Sequence, residues 1–61
     1  MATYLALIID KATGKEVAEY RHDAEDDYWA KRKAAAAFEE QQRYVPRLRK
    51  VTDWYADAVA L

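Results

Sequence analysis

Thr3-Tyr4-Leu5-Ala6-Leu7-Ile8-Ile9-Asp10 is a run of strand formers with no polar residue between its ends. Alternation puts Leu5, Leu7 and Ile9 on one face and Tyr4, Ala6 and Ile8 on the other. Both faces are apolar, which predicts a central strand. Asp10-Lys11-Ala12-Thr13-Gly14-Lys15 follows as a turn, and Gly14, the only glycine, falls where a positive φ is needed. Glu16 to His22 then reads as the second strand of a hairpin, with Val17, Glu19 and Arg21 opposite Ala18, Tyr20 and His22. Its polarity suits an edge.

The segment after the hairpin reads as one long helix. Asp23 is the expected N-cap, with Glu25, Asp26 and Asp27 in the first turn, and helix formers continue to about Gln42. Asp27 and Lys31 form a favourable i,i+4 pair. Ala24, Tyr28, Lys31, Ala35 and Phe38 project to one side with Ala34 beside them, a stripe that would let the helix sit close on the sheet. Trp29 falls off that stripe. Pro46 ends the helix and biases Val45 toward an extended conformation.

The segment from Arg47 to Leu61 carries two patterns. Leu48, Val51, Tyr55, Ala58 and Val59 match a helical period. Against a helix, no good cap precedes it, and Arg47, Arg49 and Lys50 would meet the positive end of its dipole. A hairpin also gains most from a third strand. The expectation is a strand over about 47–55, with a short helix capped by Thr52 as the alternative. The predicted fold is α+β, order ββαβ: a small single-layer antiparallel sheet packed on one long helix, in one domain spanning 1–61.

Size and composition bound the function. At 61 residues the chain has little room for a cleft, and a domain this small is only marginally stable alone. With no cysteine it has neither disulfides nor thiolate metal sites, so dense aromatic packing and self-association are the remaining supports. The net charge of -1 gives no global steering toward nucleic acid or an anionic membrane. No apolar run spans a bilayer and no signal peptide is legible, so a cytoplasmic protein with no membrane role is expected.

Candidate sites follow from residue chemistry. The acids Asp23, Glu25, Asp26 and Asp27 could form a metal or general-acid site, but they sit where a helix N-terminus favours negative charge. His22 beside Asp23 is the only base candidate, and no Ser or Cys nucleophile exists in the chain. No catalytic residue, cofactor or metal is therefore expected. Arg43, Arg47, Arg49 and Lys50, near Tyr44, Trp54 and Tyr55, form the best nucleic-acid signal, and Arg47 and Arg49 would share a face in a strand. Trp29, flanked by Arg32 and Ala36, suggests a contact surface or a dimer seam, because Trp and Arg dominate binding hot spots.

The expected activity is non-catalytic binding of a larger protein or nucleoprotein, through Trp29, Arg32, Arg43, Arg47, Arg49, Lys50 and Trp54. In size and architecture the chain is similar to phage-encoded inhibitors, anti-CRISPR proteins among them, although no motif carries that similarity. The alternative is a small DNA- or RNA-binding regulator using Arg43 to Lys50. A homodimeric structural subunit is the third reading.

Overall fold

The doubly apolar run becomes β1 (Ala2–Asp10), and it is central as expected. β2 (Lys15–Ala24) pairs antiparallel on one side of it. β3 (Trp54–Ala60) pairs antiparallel on the other, giving the order β2-β1-β3. Helix α1 (Asp27–Tyr44) crosses one face of this sheet, and a single helical turn, α2 (Pro46–Arg49), leads to β3. The computed structural model describes all residues, 1–61. The fold is the α+β, ββαβ arrangement the sequence predicts.

Local chemistry sets the hairpin. Gly14 has φ 72°, the only positive φ in the chain, and its N–H donates to the Asp10 carbonyl at 2.7 Å. The Asp10 carboxylate accepts from the Ala12 N–H at 2.9 Å, closing the turn from its other side. The register shifts between Ile8 and Ile9, because Ile8 faces Ala18 while Ile9 faces Glu16. Val17 is the extra residue of this bulge, and its side chain packs against the core.

The helix differs from its prediction in start and in rotation. Asp26, not Asp23, is the N-cap: its carboxylate accepts from the Trp29 N–H at 3.0 Å. Asp23 is drawn into β2 opposite Thr3, whose hydroxyl donates to it at 2.7 Å. Cross-strand pairing down to Ala2 and Ala24 lengthens the hairpin and leaves the next suitable acid to cap. The buried helical positions are Ala30, Ala34 and Phe38, a stripe of period four. Lys31 and Ala35 lie half-buried at its margin, while Tyr28 is 53% exposed and outside it. Alanines meet alanines here, since Ala6, Ala18, Ala56 and Ala58 lie on the covered sheet face.

The C-terminal segment is a strand, but displaced from the expected 47–55. Arg47 and Arg49 lie in the turn of α2, which Pro46 begins; its fixed φ suits a first helical position. That turn buries Leu48 in the core with Ala6, Ile8, Ala34 and Phe38. Val51 to Asp53 carry the chain across to β3, where Lys11 donates its N–H to the Asp53 carbonyl at 2.9 Å. No helix forms after Thr52.

Phe38 is fully buried and meets the edge of Trp54 at a centroid distance of 4.9 Å. Phe38→Ala is expected to cost about 3–5 kcal/mol in denaturant unfolding, and an unchanged midpoint would remove Phe38 from the core. Asp26→Ala is expected to cost about 1 kcal/mol, and Asp23→Ala less than half of that. Equal costs, measured by the same unfolding assay, would contradict the observed cap.

Candidate protein-contact surface

The cap at Asp26 decides where the first turn of α1 points. With Ala30 turned inward, Tyr28, Trp29 and Arg32 fall outside the sheet-facing stripe. Their side chains form one cluster. The rings of Tyr28 and Trp29 meet edge to face at 5.2 Å, with an interplanar angle of 81°. The Arg32 guanidinium lies 5.8 Å from the Tyr28 ring centre and 6.0 Å from that of Trp29. Its Nη1 donates to the Tyr28 hydroxyl at 3.3 Å. Trp29 nevertheless remains 47% exposed.

Two depressions flank this cluster. Met1, Ala24, Glu25, Trp29 and Lys33 line a cleft of about 230 Å3. Its wall is fixed by the Lys33 ammonium, which donates to the Asp23 carbonyl at 2.6 Å and ties helix to strand end. On the other side, Arg32, Ala35, Ala36 and Glu39 form an alanine-floored groove.

The basic stretch is divided between structure and surface. Arg49 caps the end of α1, donating from Nε to the Gln42 carbonyl at 3.0 Å and from Nη2 to the Arg43 carbonyl at 2.8 Å. Gln42 reaches forward in turn, donating to the Leu48 and Val51 carbonyls at 3.0 and 2.8 Å. Arg43 pairs with Glu40 at 3.7 Å. The side chains of Arg47 and Lys50 are exposed and make no hydrogen bond or ion pair. Arg47 and Arg49 do not share a strand face, because both belong to α2. Trp54 is half-buried with its ring edge-to-face against Phe38, and of the basic residues only Arg49 lines the same shallow depression as Trp54, together with Gln42, Val51 and Thr52.

The remaining polar candidates separate. His22 lies on the covered side of the sheet, stacked on Tyr20 at 5.9 Å, and its Nε2 is buried without a hydrogen-bond partner. Asp23 points to the opposite face and is taken by Thr3, so the two do not form a base and its orienting carboxylate. Asp27 pairs with Lys31 at 3.8 Å, as the sequence predicts. The four acids therefore fall to different tasks and do not converge.

Tyr28 is the member of the surface that sequence reading missed, because it was placed on the sheet-facing stripe. Its spacing of four from Arg32 and its adjacency to Trp29 were the available signals. No family model matches the chain, and no curated protein or solved structure matches it significantly.

Arg49→Ala is expected to lower unfolding stability by about 1–2 kcal/mol through the uncapped carbonyls. Arg47→Ala and Lys50→Ala are expected to stay within about 0.5 kcal/mol of the parent chain. Denaturant titration of the three variants separates the structural arginine from the free cations.

Proposed function

We propose that this protein is a non-catalytic binding protein that occupies the surface of a larger protein or nucleoprotein target. The observation carrying this reading is the exposed Tyr28–Trp29–Arg32 cluster on α1. Interface energy concentrates in Trp, Tyr and Arg. Here the three are held against one another on a helix before any partner arrives, which lowers the ordering cost of association. The cleft and the alanine-floored groove on either side offer recesses for a partner's side chains.

Occlusion is the mode of action that suits this architecture, since it needs a stable surface and no chemistry. It is the mode of a phage-type inhibitor of a host defence system, such as an anti-CRISPR protein, working in the cytoplasm. That finer assignment rests on size and architecture. A second reading, a DNA- or RNA-binding regulator, is favoured by the two free cations Arg47 and Lys50, with the exposed Tyr44 close to them in sequence. It is weakened by the engagement of Arg43, Arg49 and Trp54 within the fold.

An affinity capture from source-cell lysate, with and without nuclease, separates the two. The expected result is a stoichiometric protein partner that survives nuclease and high salt, with Trp29→Ala weakening binding at least ~30-fold. A catch that vanishes with nuclease, falls steeply with salt and is lost in an Arg47→Ala, Lys50→Ala double variant would replace the first reading with the second.

A further inference from the structure

We propose that the depression between the end of α1, α2 and the start of β3 receives an acidic side chain, Asp or Glu, of the protein partner, held by the free edge of the Arg49 guanidinium. This rests on the reading of the chain as one that binds another protein. Gln42, Arg49, Val51, Thr52 and Trp54 line a space of about 300 Å3 there.

The guanidinium is already in place. Arginine carries five N–H donors in a rigid plane. Two of them are used, from Nε to the Gln42 carbonyl and from Nη2 to the Arg43 carbonyl, so one edge of the plane is fixed to the end of α1. The far edge, with one N–H from each Nη, makes no bond within the chain. Such an edge matches the two oxygens of a carboxylate. The cap has already removed the freedom of this side chain, so a ligand does not have to order it. Thr52 lies outside every element, and its hydroxyl makes no bond within the chain; neither does the Trp54 indole N–H. Val51 and Trp54 give the space an apolar wall that suits the methylenes of an acidic side chain.

Charge favours an anion here. From Gln41 to Thr52 the chain carries Arg43, Arg47, Arg49 and Lys50 and no acid. The flanking acids are engaged, Glu40 with Arg43 at 3.7 Å and Asp53 with Lys11 at 3.8 Å. No carboxylate of this chain lines the depression.

Two observations favour the carboxylate of a protein over the phosphate of a nucleic acid. The first is position. Tyr28, Arg32, Ala35, Glu39 and Gln42 follow one another at spacings of four and three, so they form one row along a flank of α1. The row leads from the aromatic cluster through the alanine-floored groove to this depression. Its length is about 21 Å, which one standard interface of about 800 Å2 per partner can span. The second is the lack of a track. A nucleic acid needs successive cations along its backbone and open rings for its bases. Arg47 and Lys50 stand outside the lining, and the Trp54 ring is held edge to face by Phe38.

A heteronuclear NMR titration of the full chain with a terminally blocked hexaglutamate peptide tests this. The expected result is a saturable shift of the Thr52 amide and Trp54 indole resonances with a midpoint of about 1 mM or below, and no shift with the hexaglutamine counterpart. Arg49→Lys keeps the charge but loses the two-pronged edge, and should raise the midpoint at least ~10-fold. Thr52→Val should raise it at least ~3-fold, and carries the test should Arg49→Lys not fold. An absent shift, or an equal one with hexaglutamine, overturns the proposal. So does binding that persists in Arg49→Lys but vanishes in an Arg47→Ala, Lys50→Ala double variant, which would make the attraction diffuse. A single-stranded DNA hexamer that shifts the same resonances at lower concentration would put a phosphate in place of the carboxylate. The titration uses no captured partner, so it can fail while capture through Trp29 succeeds, and the reverse.

Discussion

The close approach of α1 to the sheet is the constraint on which the rest of the molecule depends. Ala34 of the helix lies in one cluster with Ala6, Ala18, Ala56 and Ala58 of the three strands. Small side chains on both sides bring the backbones near each other and leave little volume between them. Phe38, Leu48 and Trp54 meet in that layer near α2, while Tyr20 and His22 stack at its margin on β2. At the start of α1, Trp29 and Tyr28 lie off the sheet-facing stripe and stand against each other outside. A thin core and a surface rich in aromatics are therefore two results of one packing choice.

The sheet was legible because its signals are local. A turn with the sole glycine and a strand apolar on both faces fix the hairpin and the central position of β1. Element edges were less legible, because they depend on distant partners. Asp23 and Asp26 are equally good caps in isolation, and the pairing of Asp23 with Thr3 selects between them. The stretch after Pro46 satisfies both a helical and an extended pattern, and the fold uses both in turn, burying Leu48 before Trp54 begins the strand.

The candidate surface was legible in part. Trp29 and Arg32 stand out by residue type, but their arrangement depends on a helix rotation that amphipathic counting placed too near Tyr28. The arginines after Gln42 read as a surface feature, whereas Arg49 serves the carbonyls at the end of α1. Charge at a helix end is ambiguous in sequence between capping and recognition, since both use the same donors. The open sheet face was implied by the two apolar faces of β1. A chain with one long helix can cover only one of them.

The pairing of β1 with β3 also orders events in time. β1 and β2 are joined by a tight turn and can meet early, as hairpins do within microseconds. The other edge of β1 is matched to residues far along the chain, Tyr4 to Ala60 and Asp10 to Trp54. Closing that distance carries an entropic cost before its hydrogen bonds compensate, which slows folding in proteins of high contact order. During synthesis the hairpin and α1 emerge with one strand edge still unpaired. That edge, beside Leu5 and Leu7, is the part of the nascent chain most in need of protection until residues 54–60 arrive.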